Sequence, residues 1–331
     1  MMEWTDRHCR YFHRLLTRDA RLYTEMLTTG TLLHGDAKRH LAFDAAERPV
    51  ALQLGGSEPD ELAHAAKLGA SYGYDEINLN CGCPSERVQR GAFGACLMAE
   101  PLLVADCIKA MQDAAGIPIT VKHRIGIDRR EEYGFVRDFV GALHEAGCSV
   151  FIVHARSAWL RGLSPKENRE VPPLDYSRVH QLKADFPSAQ FVLNGGIATL
   201  SAAREHLASV DGVMLGRAAY HDPYLLAGVD CALFGEIAPV LPRHTVVIKM
   251  TEYLQQQTRA GTAARHVVRH MLGLFQGLRG ARRWRRTLSD ADALHRYGAD
   301  ILMVALEAVS DPNSQSVAAS LPIPQGFRLA T

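Results

Sequence analysis

Glu76 to Met98 reads EINLNCGCPSERVQRGAFGACLM. Ile77, Leu79 and Cys81 alternate with Asn78, Asn80 and Gly82, which is the period of a strand. Gly82-Cys83-Pro84 ends that strand. A loop with Gly91 and Gly94 follows, and a helix begins near Leu97. A cysteine just past the carboxyl end of a strand, followed by proline, is held on a loop and turned away from the sheet. That is where a (β/α) barrel carries its reacting groups.

Working outward, six more short apolar runs read as strands: Leu22–Met26, Val50–Leu54, Ile119–Arg124, Val150–His154, Gln190–Leu193 and Gly212–Leu215. Helical patterns separate them: Glu58–Ala70 with Pro59 in its first turn, Pro101–Ala115, Glu131–Ala146, Tyr176–Phe186 and Leu200–Ala208. This alternation predicts βα units and a parallel sheet. Seven strands are one short of a closed (β/α)8 barrel. A helix expected over Arg7–Thr17 lacks its strand, and Met1-Met2 would be that strand's end. The expected fold is therefore an α/β TIM barrel with its first strand largely missing from this chain, followed by an all-α region. An open doubly wound sheet ranks lower, because polar or glycine-rich residues follow every strand instead of clustering at one switch point.

The 331 residues are 47% hydrophobic and 22% charged, enough for a large core or two domains. No apolar run is long enough to span a bilayer. MMEWTDRHCR carries no secretory leader, and seven irregularly spaced cysteines read as free thiols, so a cytoplasmic protein is expected. Past residue 235 the strands stop. His244–Gln257, Ala263–Leu274, Asp290–Leu294 and Asp300–Val309 look helical. The formal net charge of +1 conceals a basic region: ten Lys/Arg lie between Arg243 and Arg286, against Glu252 alone. A solvated helix face is the plain reading. A nucleic-acid footprint is favoured by Arg279-Gly280-Ala281-Arg282-Arg283-Trp284-Arg285-Arg286, since a tryptophan among arginines can stack on bases while they pair with phosphates. The expected division is a catalytic barrel over 1–235, a helical domain over 236–310 and a disordered tail over 311–331.

The residues at the carboxyl ends of the strands should face one pocket: Met1 and Met2, Gln53, Asn80 with Cys83, Lys122, His154, Asn194-Gly195-Gly196, and Gly216-Arg217. Glycine-rich turns after the last two strands, with Arg217 as a fixed charge, suit a phosphate group. Lys122 lies in a buried strand and needs an anion. That anion is either a phosphorylated cofactor or, structurally, Glu25. His154 could bind phosphate, stack on a ring, transfer a proton or simply fill the core. Gln53 can read the imide edge of a heterocycle. Cys83 with Cys81 and Cys96 fits zinc spacing poorly, so no metal is expected. A plain buried thiol would not need the loop. A positioned acid or nucleophile suits Cys83 best, while Cys81, Cys96 and Cys107 read as structural.

LNCGCPSERVQRGAFGACLM resembles the signature of the tRNA-dihydrouridine synthases, and the A-type branch fits best. MMEWTDRHCRYF, LYTEMLTTG, PVALQLGGS, VKHRIGID, HARSAWLRGLSPKENREVPPLDY, NGGI, LGRAAY and RHMLGLFQGLRGARRWRR resemble A-type segments in order, over roughly residues 1–310. The resemblance implies an FMN-binding TIM barrel with a C-terminal tRNA-binding helical domain. It also implies NADPH-dependent reduction of a D-loop uridine, with positions 20 and 20a suggested. Hydride passes from FMN to C6, and Cys83 protonates C5. It implies FMN contacts from Met1, Met2, Gln53, Lys122, His154, Asn194, Gly195, Gly196, Gly216 and Arg217. For tRNA it implies Asn80, Lys166, Arg169, Arg282, Arg285 and Arg286. The family carries Ala-Pro before the two methionines, so a chain starting at Met1 is expected to have an incomplete flavin floor. Gly91 and Gly94 would let the cysteine loop close on docking. A monomer is expected. The competing functions are an FMN-barrel reductase of a small molecule, like dihydroorotate dehydrogenase, and a tRNA-binding protein without catalysis.

Overall fold

The structure, a computed structural model, describes residues 1–237, 239–307 and 309. The expected 311–331 tail lies outside the described residues. Seven parallel strands follow one another: β1 Leu22–Thr28, β2 Val50–Gly55, β3 Glu76–Cys81, β4 Ile119–Arg124, β5 Val150–His154, β6 Gln190–Asn194 and β7 Gly212–Met214. Each pairs only with its neighbours in sequence, for example Leu79 with Val121 and Lys122 with Ile152. A doubly wound sheet would reverse its order at a switch point, and none is present. The sheet curls. Lys122 of β4 reaches Asn194 of β6 across the intervening strand. Residues 1–3 span the seam between its edges: the Glu3 N–H donates to Glu25 of β1, and the Met1 sulfur approaches Gly216 just past β7. The described residues form a seven-stranded (β/α) barrel with an open seam.

The outward face of the sheet is mostly apolar, and β3 and β4 turn polar residues such as Asn78, Thr120 and Lys122 inward. Leu52, Leu54, Ile77, Leu79, Val121, Phe151, Val153 and Leu193 pack with the surrounding helices in one buried cluster. Helices Pro59–Ser71 and Pro101–Ala115 each start on proline, where no N–H is needed. The second is closed by Gly116 in the left-handed conformation. Strand boundaries from the sequence hold to within two residues. Pro101–Ala115 stands as expected, while Arg7–Thr17 narrows to Arg7–Arg14 and Glu131–Ala146 to Tyr133–Glu145, and His244–Gln257 lengthens to Arg243–Arg259. In the first of these narrowings Arg14 turns its guanidinium onto the carbonyls of Thr17, Arg18 and Ala20, which fold back past the helix end.

A second buried cluster joins Phe12 and Leu16 to Leu226, Val229 and the C-terminal helices, including Val246, Met250, Leu254, Phe275 and Trp284. The barrel's first helix is thus part of the helical region's core. Tyr11 stacks on Tyr253 at 3.9 Å between centroids, and His8 Nδ1 lies 2.8 Å from the Tyr253 hydroxyl. The helix expected over Ala263–Leu274 is broken into Ala264–Val268 and a 3-10 turn at Arg269–Met271. Gly273 then runs so close to the His221 carbonyl that a Cβ would stand 2.2 Å from its oxygen, an approach that only a glycine allows.

The arginine run is itself a helix, Ala281–Ser289, and its tryptophan is not a stacking platform. Ala281, Trp284 and Leu288 share its buried face. Trp284 is fully buried and donates Nε1–H to the Met271 carbonyl at 2.9 Å. A four-residue step places Trp284 against the core, while Arg282, Arg283 and Arg286 stay exposed.

Candidate active site

Cys83 is pinned from four directions. Asn80, on the last full turn of the β3 pleat, accepts the Gly82 and Cys83 N–H groups on Oδ1 at 3.0 and 2.9 Å. This is an Asx turn, the local closure that lets asparagine end a strand. Arg124 Nε donates to the Gly82 carbonyl at 3.1 Å. The Cys83 carbonyl accepts from Ala95 N–H at 2.9 Å. The sulfur lies 3.6 Å from Ser85 Oγ and is half-buried. Gly94 has φ +77°, and a Cβ there would stand 2.6 Å from the Cys83 oxygen. Gly94 therefore secures the close approach of the loop behind the cysteine. Gly91 keeps an ordinary φ of −85°.

The mouth below Cys83 is rich in cations. Lys122 makes no ion pair among the described residues, and Glu25 is engaged by the Glu3 N–H instead. Lys122 Nζ donates to Asn194 Oδ1 at 3.1 Å, and Asn194 Nδ2 donates to the Met214 carbonyl at 2.8 Å. Burial, then the neighbouring Arg124, lowers the Lys122 ammonium to about 8, with Cys83 pulling it upward. Arg124 is buried and donates through Nη1 to the Ser157 and Asn168 carbonyls. Burial brings its pKa down to about 10. His154 is held well below its ordinary value by burial and by Arg124, Lys122, Arg156 and Arg217, so its ring is neutral. A neutral ring can stack, donate or accept, but it does not serve as a fixed cation for phosphate.

Gly195 and Gly196 both take left-handed φ values, +117° and +72°. A Cβ on Gly195 would stand 2.8 Å from His154 Cδ2, so the glycine lets the imidazole lie against the turn. Their N–H groups have no hydrogen-bond partner among the described residues. Arg217 is not the isolated charge that the sequence suggests. Its Nη1 pairs with Glu170 at 2.7 Å, from the long segment after β5. Burying several cations with so few anions is costly unless a ligand supplies negative charge. Free backbone donors beside the unpaired Lys122 therefore fit a phosphorylated, electron-rich group such as a flavin nucleotide.

Met1 and Met2 lie at the open seam and are exposed at 37% and 55%. Gln53 is almost fully buried and lies beneath Asn80, donating to Asn78 Oδ1 and accepting from Asn80 Nδ2, both at 2.9 Å. Gly216 lies beside Met1. Lys166 and Arg169 are exposed on the segment after β5, and Arg169 couples electrostatically to Cys83. Arg282 and Arg286 are exposed on helix Ala281–Ser289, and Arg285 donates to Gln276 Oε1 at 3.0 Å. All three stand on helix Ala281–Ser289, and Arg285 also lines a cavity with Tyr220 and His221.

Two residues that hold the site were not singled out from sequence. Arg124 could have been, as a second cation ending ITVKHR. Asn168 is fully buried and ties Trp159, Leu163 and Ser164 through its amide. It sits in PKENRE, and nothing in that polar run marks it as buried. Among the described residues no group of three or more His, Cys, Asp or Glu could hold a metal ion. Among the described residues no helix is long and apolar enough to cross a membrane.

A family model described as dihydrouridine synthase matches residues 1–311. A tRNA-dihydrouridine(20/20a) synthase of Vibrio vulnificus is 56% identical over 310 residues, covering 93% of this chain and 95% of that protein. One of the same name from Pseudomonas syringae pv. tomato is 61% identical over 289 residues, covering 87% and 86%. Among solved structures, a 2-naphthoyl-CoA reductase in complex with 2-naphthoyl-CoA superposes with a TM-score of 0.52 at 13% identity, over 68% of this chain and 47% of that one. That likeness is one of fold.

Proposed function

The chain belongs to the dihydrouridine synthase family of flavin-dependent oxidoreductases, and from that premise we propose that it reduces uridine to 5,6-dihydrouridine in the D loop of tRNA, at positions 20 and 20a. FMN is the flavin and NADPH the reductant in this reading. The observation that carries it is a cysteine fixed by backbone and side-chain hydrogen bonds over a mouth of unpaired positive charge. A small-molecule reductase would need the mouth but not the basic helical region. A binding protein would need the basic region but not the pinned thiol.

When bound, reduced FMN supplies the hydride that saturates C6 of uracil. The protein's own residues do the rest. Gly195 and Gly196 offer N–H groups to the phosphate, and Arg217 joins them if it shares Glu170. Lys122 counters negative charge on the ring system, with His154 as a neutral neighbour. Met1, Met2, Gly216 and Asn194 line the same side. Cys83 holds the proton that completes C5, and its Sγ–H bond breaks as the C5–H bond forms. The uridine has to leave its stack to reach this depth, which selects a loop base. Asn80 keeps one N–H free for the uracil or its ribose. Lys166 and Arg169 flank the entrance, and Arg282, Arg285 and Arg286 of the 236–310 region take the tRNA backbone.

Mass-spectrometric mapping of tRNA from cells lacking this gene tests the reading. Dihydrouridine at positions 20 and 20a should disappear and return with the wild-type gene. Unchanged dihydrouridine at both positions would refute the assignment.

A further inference from the structure

Glu76, Asn78 and Asn80 occupy alternate positions of β3 and point to the same side of it. With Gln53 of β2 and Thr120 of β4 they form one unbroken run of hydrogen bonds. The Gly82 and Cys83 N–H groups donate to Asn80 Oδ1 at 3.0 and 2.9 Å. Asn80 Nδ2 donates to Gln53 Oε1 at 2.9 Å, and Gln53 Nε2 to Asn78 Oδ1 at 2.9 Å. Asn78 Nδ2 donates to Thr120 Oγ1 at 2.8 Å, and the Thr120 hydroxyl to Glu76 Oε1 at 2.6 Å. Tyr23 donates to the same carboxylate at 2.9 Å, and Arg21 pairs with its other oxygen. Asn78, Thr120 and Glu76 are buried at 0–1% exposure, so water does not compete along the lower run.

The two ends of this run are chemically opposite. Backbone N–H groups can only donate, and a carboxylate can only accept. Every link between them must point the same way, from the cysteine loop down to Glu76. An amide flipped at Asn80 or Gln53 would set donor against donor at one link and acceptor against acceptor at the next, and one flipped at Asn78 would set its Nδ2 against Gln53 Nε2 and draw the Thr120 hydroxyl off Glu76. Each break would leave a buried group unsatisfied, at a cost of about 1–3 kcal/mol.

We propose that Glu76, Asn78 and Thr120 are positioning residues for Cys83. From the far end of β3, roughly 13 Å from Asn80 at the rise of a strand, the Glu76 carboxylate sets the sense of the run. The run sets the Asn80 amide, and the amide holds the Gly82-Cys83 turn. The run fixes the geometry of the thiol, and the catalytic consequence rests on the function proposed above.

The test cuts the run without touching the mouth. Thr120→Val replaces the hydroxyl with a methyl at nearly the same volume, and Thr120→Ser keeps it. Iodoacetamide labelling is followed cysteine by cysteine by peptide mass mapping. Exposed Cys231 is the internal control, and buried Cys81 and Cys148 report unfolding. In Thr120→Val the rate at Cys83 relative to Cys231 should change by about threefold or more, with Thr120→Ser like wild type. On tRNA, kcat should fall on the order of tenfold in Thr120→Val with KM unchanged, because misplacing a reacting group acts on the chemical step. A Cys83-to-Cys231 ratio equal to wild type in Thr120→Val overturns the proposal. If Thr120→Val unfolds, Asn78→Leu cuts the run one link away and is read the same way. In wild type, hydrogen exchange at the Gly82 and Cys83 amides should be slow, and exchange at the rate of an open loop would also overturn it. A wild-type protein without dihydrouridine synthase activity would refute the proposed function instead, while the labelling ratio would still decide the relay.

Discussion

Cys83 is surrounded by residues whose individual removal has distinguishable effects. Cys83→Ala should abolish dihydrouridine formation while NADPH still bleaches the flavin, followed by absorbance near the flavin band. Loss of flavin reduction would show that the thiol acts earlier. Gly94→Ala forces a side chain into a left-handed position and against the Cys83 carbonyl. It should lower stability by about 1–3 kcal/mol in denaturant titration and slow turnover, because the loop behind the thiol has to shift. Lys122 gives a pH signature. Its ammonium is already lowered to about 8 by burial, so the ligand-free mouth loses this charge as pH rises through that value. An anionic flavin favours the charged form, so its affinity should weaken above about pH 8 and be level below it. Fluorescence titration of FMN reads this, and Lys122→Met should flatten the profile.

At the scale of an element, helix Ala281–Ser289 separates two jobs that its sequence mixes. Trp284 belongs to the core, and Trp284→Ala should cost about 3–5 kcal/mol, read from the shift in urea midpoint. Arg282→Ala and Arg286→Ala remove exposed charges, so thermal stability should stay level. Binding to tRNA should weaken for both, with the slope of log affinity against log salt falling by about one per residue. Equal salt slopes in wild type and variants would place the tRNA contact elsewhere. The strand β3 shows the same division by alternation. Ile77, Leu79 and Cys81 pack outward against helices, while Glu76, Asn78 and Asn80 build the interior run.

For the whole molecule, buried histidines held neutral should make stability fall in acid. Burial lowers His8 and His123 to about 4 and His13 to about 3, from 6.5 in the unfolded chain. Above pH 6.5 both states are neutral and stability is full. As pH falls below 6.5 the unfolded chain takes up protons that the folded protein refuses. Each of the three then removes up to about 1.4 kcal/mol of stability per pH unit, down to its folded value. Urea midpoints measured from pH 7 to pH 5 should fall steadily, and His13→Gln should lessen the slope. A midpoint independent of pH over that range would show that these rings are hydrated. His8 and His13 lie on helix Arg7–Arg14, which joins the barrel to the helical core, so acid should loosen the two parts together.

Much of this protein follows from the sequence alone. Seven strand positions, their parallel order, the cysteine turn and the cationic strand ends all rest on local period and on glycine and proline punctuation, which adjacent residues carry by themselves. The tertiary structure decided what no local pattern encodes. The partner of Lys122 is Asn194, not Glu25, because the sheet curls and brings β4 and β6 together. Arg217 meets Glu170 because the segment after β5 folds back over the mouth. Trp284 is core because the helical region packs on Arg7–Arg14, far away in sequence. Asn78, Thr120 and Glu76 become one directed run only when β3 and β4 lie side by side. Period and punctuation are properties of neighbours along the chain. Burial and hydrogen-bond partnership are properties of neighbours in space, and so they waited on the fold.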